Sequence, residues 1–120
     1  MSIRAVRGAT QLRADDPREM ADAVVELVST LLARNELAIA DLVSVLFTAT
    51  PDLTSEFPAA AARTLGLGEV PLLCAQEIDV AGALPRVVRL MAHVETSRAR
   101  SEMVHVYLRG AEVLRQDLAQ

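Results

Sequence analysis

The chain of 120 residues has no lysine and no tryptophan, and only one cysteine, two phenylalanines and one tyrosine. Each shortage excludes something. A lone Cys74 cannot close an internal disulfide, which fits a reducing cytoplasm. Three aromatic rings (Phe47, Phe57, Tyr107) and a net charge of -4 leave neither the basic stripe nor the stacking platform of a nucleic-acid surface. No stretch of about 18 apolar residues is free of charges or breakers, so no membrane span is expected. The opening M-S-I-R-A-V-R-G has no apolar signal core and no cleavage pattern, and export is not expected. Nor is there a Gly-rich phosphate loop, a G-x-S-x-G or a C-x-x-C, and His93, His105 and Cys74 lack metal-ligand spacing. No metal and no cofactor is therefore expected. His93 and His105 read as packed or solvent-facing strand residues, and Cys74 as a small core residue.

What is present suggests one domain, residues 1–120, able to bury roughly two thirds of its unfolded surface. An apolar content of 52% with a mean hydropathy of +0.28 is high for so small a domain, and the surplus points to contacts between subunits. All twelve basic residues are arginine. Codon bias explains that as readily as chemistry does, but the planar fork of arginine also suits carboxylates and ether oxygens.

In chain order, Ser2 to Thr10 reads as a first strand. Asp16 can cap a helix, Pro17 suits its first position and Glu19 can reach back to the cap amide. Met20, Ala23, Val24, Leu27, Val28 and Leu31 then recur at helical spacing up to a stop at Asn35. Leu42 to Thr50 is a buried strand, Ala59 to Leu65 a short helix ended by Gly66 or Gly68, and Val70 to Ala75 a third strand. Arg86 to Glu95 and Met103 to Leu108 close the chain as strands four and five. The interleaving predicts an α+β fold, a small mixed sheet with helices on one face.

Two of these strands carry charge inside apolar runs. In the fourth, alternation puts Val88, Leu90, Ala92 and Val94 on one face and Val87, Arg89, Met91, His93 and Glu95 on the other. A guanidinium in mid-strand must meet solvent, a carboxylate or an anionic ligand. Arg7 repeats the pattern in the first strand, and the fifth is expected to set Met103, His105 and Tyr107 against Val104, Val106 and Leu108. With Glu77 just past the third strand, Arg7, Arg89 and Tyr107 form a wet set on a sheet face that other subunits would cover.

Five segments carry a family resemblance: R-A-V-R-G-A-T, F-T-A-T-P-D-L-T-S-E-F-P-A-A-A-A-R, V-P-L-L-C-A-Q-E-I-D-V, L-P-R-V-V-R and H-V-Y-L-R-G-A-E-V-L-R-Q-D-L. In order and spacing they resemble the monofunctional trimeric chorismate mutases of the AroH class, over nearly the whole chain. Ala60 and Leu73 stand where some members have Lys and Thr, and the tail has L-R-Q-D-L where the family often has L-R-P-D-L. The resemblance implies a homotrimer built as a pseudo-α/β-barrel, with active sites between neighbouring subunits. It implies rearrangement of chorismate to prephenate in aromatic amino acid (Phe/Tyr) biosynthesis, without a cofactor or covalent intermediate.

By the same resemblance, Arg7 and Tyr107 would hold a substrate carboxylate, and Arg89 would reach the ether oxygen and a carboxylate. Glu77 and Cys74 would bind the ring hydroxyl. Phe57, Ala59, Leu73 and Leu114 would line the wall, with Arg63 and Arg115 at the mouth. Strict alternation puts Cys74 and Glu77 on opposite faces, so this pairing needs a bend near Gln76 or a backbone contribution. Two other classes fit the composition: a trimeric enamine/imine deaminase of the RidA type, and a non-catalytic trimer that binds a small acid.

Overall fold

In the computed structural model, which describes residues 1–115, β4 (Val87–Thr96) lies at the centre of a five-stranded sheet. It runs antiparallel to β1 (Ser2–Gln11) on one side and to β2 (Leu42–Ala49) on the other. Beyond them, β3 (Leu72–Gln76) pairs parallel with β2 and β5 (Val106–Leu108) parallel with β1, so the order is β3-β2-β4-β1-β5. The sheet is mixed, and the last two strands are separated by β1.

Val88, Leu90, Ala92 and Val94 are all buried, whereas Arg89, His93 and Glu95 are exposed. The buried face meets α1 (Pro17–Arg34) through Met20, Ala23, Val24, Leu27, Val28 and Leu31, the stripe read from helical spacing. Each such large side chain contributes about 1.5–3 kcal/mol on burial. Gly8 permits the close approach, because a Cβ there would stand 3.1 Å from Leu27 Cδ1. Asp16 caps α1 by accepting from the Glu19 amide at 2.8 Å. Glu19 does not return to the cap amide. It reaches further back, accepting from the Arg13 and Ala14 amides at 2.6 and 3.2 Å, and so fixes the turn entering the helix.

The short helix α2 (Pro58–Ala62) passes into a wider turn at Arg63–Leu67, which Gly66 ends in the left-handed region at φ 109°. The expected strand Val70 to Ala75 begins two residues later, at Leu72. The fifth strand differs more. Only Val106–Leu108 pairs; Met103 is buried and Val104 is exposed, the reverse of the expected faces. Asn35 explains the change. Its Nδ2 donates to Val104 O and Leu31 O, each at 2.9 Å, while its Oδ1 accepts from Val104 N at 2.7 Å. The Val104 backbone is thus paired by a side chain from the end of α1 instead of by a strand, and the chain turns before β5.

Asn35 is 1% exposed, so its loss strands buried groups at both ends. Asn35→Ala is expected to destabilise the fold by about 2–3 kcal/mol, measured by chemical denaturation.

Candidate active site

The sheet face away from α1 carries the polar set, and the register decides which members meet. Thr48 and Arg89 are directly opposed across β2 and β4, Ala9 faces Arg89 from β1, and Arg7 faces Met91. Tyr107 lies beside Ala9 across the parallel β1–β5 pair. These contacts bring Arg7, Arg89 and Tyr107, with Leu114 and Arg115 from the turn after β5, around one cleft of about 250 Å³. Arg115 places its guanidinium 6.0 Å from the Tyr107 ring centroid, and its buried Nε has no hydrogen-bond partner among the described residues. No carboxylate lines this cleft. Such a site suits a small anion carrying more than one carboxylate.

Glu77 continues the alternation of β3 onto the open face. Its Oε2 accepts from Thr48 Oγ1 at 2.6 Å and lies 3.1 Å from Arg89 Nε. Both contacts fall on Oε2, so Oε1 is the oxygen that can accept from a ligand. Arg89 engages Glu77 through Nε, so its terminal nitrogens are not used by that contact. Thr48 was not among the residues read from the sequence. Its one signal is its open-face position on β2, and that gains meaning only once Arg89 and Glu77 are known neighbours.

The remaining expected site residues lie elsewhere in the chain. Cys74 is opposed to the buried Phe47, so it faces the helix side, away from Glu77. It lines a second cleft of about 340 Å³ with Phe57, and this cleft shares no lining residue with the first. Leu73 is on the open face and 65% exposed. Ala59 is buried in the core, and Arg63 is exposed outside these clefts. The Q-D-L of the tail motif lies outside the described residues.

The loop bearing Phe57 is braced by two aspartates. Asp15 accepts from Thr54 N and Ser55 N, each at 3.0 Å, and from Thr54 Oγ1 at 2.8 Å. Asp52 accepts from Thr50 Oγ1 at 2.6 Å and from Arg86 N at 3.0 Å, tying the loop to the start of β4. Among the described residues, no group of three or more His, Cys, Asp or Glu could hold a metal ion, and no helix is long and apolar enough to cross a membrane.

A five-stranded α+β domain with a cluster of arginines over its open sheet face defines a binding fold for small polyanionic acids. Residues 3–118 match the family described as chorismate mutase type I. The chain is 44% identical to the chorismate mutase AroH of Thermus thermophilus over 97% of its own length and 96% of that protein's. It is 40% identical to the chorismate mutase AroH of Bacillus subtilis, over 99% and 94% of the two lengths. A solved chorismate mutase from Clostridium thermocellum superposes with a TM-score of 0.89 at 39% identity, covering 91% of this chain and 97% of that one. This chain belongs to the type I chorismate mutase family.

The brace at Asp15 has a pH signature. Hydrogen bonds from Thr54 and Ser55 hold its pKa below the ordinary 3.8. Its contribution is therefore present above about pH 3.8 and lost as pH falls through the lower folded value. Thermal melts across acid pH are expected to show a difference between wild type and Asp15→Ala at neutral pH that closes toward pH 2.

Proposed function

We propose that this chain rearranges chorismate to prephenate in the cleft of Arg7, Arg89, Tyr107 and Arg115. Arg89 lines this cleft and also, with Glu77, the one beside it, and the two would supply the opposed charges. The enzyme is an isomerase. As the ether bond breaks, negative charge grows on its oxygen and positive character on the ring fragment. The terminal nitrogens of Arg89 would meet the first and the free Oε1 of Glu77 the second, with Thr48 keeping the carboxylate in place. Arg7, Tyr107 and Arg115 would hold the substrate carboxylates, so that a flexible dianion is bound in its reactive conformer before chemistry begins. The observation that carries this reading is the Arg89–Glu77 pair at 3.1 Å, with the guanidinium groups of Arg7 and Arg115 on the same cleft as Arg89.

The working unit would be a homotrimer with sites between subunits. Within one chain the Phe57–Cys74 cleft and the arginine cleft remain apart, while Ile3, Leu46 and Leu73 leave apolar surface exposed. A second copy laid on the open face would cover that surface and could bring Phe57, Cys74, Leu73 and Arg63 of one chain to the arginines of the next. The product would serve aromatic amino acid biosynthesis in the cytoplasm. No observation favours a deaminase-like or non-catalytic reading.

Incubation with chorismate should consume it and form prephenate; an inactive, folded protein would overturn the assignment. Removing one preorganised donor costs about 3 kcal/mol, so Arg89→Ala is expected to lower kcat by on the order of a hundredfold or more with the fold intact. Arg89→Lys should not restore it, because a point charge on a flexible stem lacks the fork. Near wild-type kcat in either variant would remove Arg89 from the mechanism. Light scattering of the active protein should give three times the chain mass, and an active monomer would exclude the shared site.

A further inference from the structure

β5 begins only at Val106, so the edge of β1 just before Gly8 lacks a strand partner. A side chain takes the place of that rung: the Arg7 amide donates to His105 Nδ1 at 3.0 Å. A ring nitrogen that accepts a hydrogen bond carries no proton, so this contact requires a neutral imidazole with its proton on Nε2. The surroundings favour that form. Arg4 and Arg7 from β1, His93 from β4 and Arg100 from the turn before β5 line the same cleft with His105, and no carboxylate lines it. Burial first, then the charges of Arg7 and Arg115, hold the His105 pKa below the ordinary 6.5.

We propose that His105 is a positioning residue for Arg7: its neutral imidazole closes the ladder at the point where β5 fails, and so fixes the backbone from which Arg7 reaches the substrate carboxylate. This rests on the reading of Arg7 as a carboxylate ligand. His105 touches no reacting atom in this role. Because a carboxylate is held in substrate and transition state alike, loss of the contact weakens binding and leaves the chemical step nearly unchanged. Protonation removes the same contact, since an imidazolium can no longer accept from the amide.

The test compares two variants of the full chain. Asn carries its Oδ1 on the same Cγ that bears Nδ1 in histidine, so His105→Asn keeps an acceptor at that point and cannot be protonated. His105→Leu removes it. With chorismate as substrate, His105→Leu is expected to raise KM about fivefold with kcat changed by less than about twofold. His105→Asn should stay within about twofold of wild type in both. As pH falls through the lowered His105 pKa, on the acid side of 6.5, wild-type KM should rise while that of His105→Asn stays flat. Unaltered KM in a folded His105→Leu, a His105→Asn as weak as His105→Leu, or the same acid limb in wild type and His105→Asn would each overturn the proposal. Nitrogen-15 NMR of the wild type decides it without turnover: the neutral Nε2–H tautomer is expected near pH 7, and a proton on Nδ1 would overturn it. Wild type inert toward chorismate would instead defeat the functional reading and leave the NMR result standing.

Discussion

The register of β4 between β1 and β2 is the constraint on which the site depends. Val88, Leu90, Ala92 and Val94 must face α1, and the next residue along, Arg89, then faces away, beside Ala9 on one neighbour and Thr48 on the other. A slip of one residue would turn every side chain over, driving Arg89 under α1 and the valines into water. An unpaired guanidinium in that core would cost several kcal/mol. The apolar face therefore holds the arginine in position: core packing supplies the precision, and the side chain supplies the charge.

That division explains what was legible in the sequence. The period of two in β1 and β4, and the helical stripe of α1, showed directly which residues face the core, so Arg7 and Arg89 could be singled out before any pairing was known; Tyr107 came from the alternation of the fifth strand, which the structure keeps only over Val106–Leu108. Periodicity also exposed the opposition between Cys74 and Glu77, and the strand bears it out: no bend brings the two side chains together. Strand order was not legible, because alternation within a strand says nothing about its neighbours. Thr48 holds Glu77 across 29 residues and His105 holds Arg7 across 98, and each contact has meaning only after the sheet is assembled. The length of β5 was hidden for a related reason. Met103 to Leu108 has the composition of a strand, but the amide of Asn35, 69 residues away, pairs Val104 first.

Strain is placed with similar economy at the start of β4. Arg86, immediately before β4, adopts φ 53°, a left-handed conformation that costs a non-glycine residue on the order of 1 kcal/mol. Its amide is held by the Asp52 carboxylate and its Nε donates to Leu12 O at 2.9 Å, so both neighbouring loops stabilise the turn. The same Asp52 accepts from Thr50 at the end of β2. The strained residue thus fastens the entry of β4 to the ends of β1 and β2, three residues upstream of Arg89. Hydrogen bonds at that junction keep the register from fraying where the reacting face begins.

The charge pair also bears on why the proposed site would need a second subunit. In the single chain the Arg89 side chain is 47% exposed and that of Glu77 16%. Water around a half-exposed guanidinium screens its field and reorganises as charge develops, so much of its catalytic value is lost. Glu77 does not simply neutralise Arg89, because the contact is made through Nε and does not use the terminal nitrogens. A chain laid across the open face would displace water from those nitrogens and lower the local dielectric while leaving the Glu77–Thr48 contact in place. In that arrangement assembly and catalysis rest on one desolvation step: burying the exposed apolar residues of the sheet face drives association, and the same closure strengthens the field of Arg89 on the breaking bond.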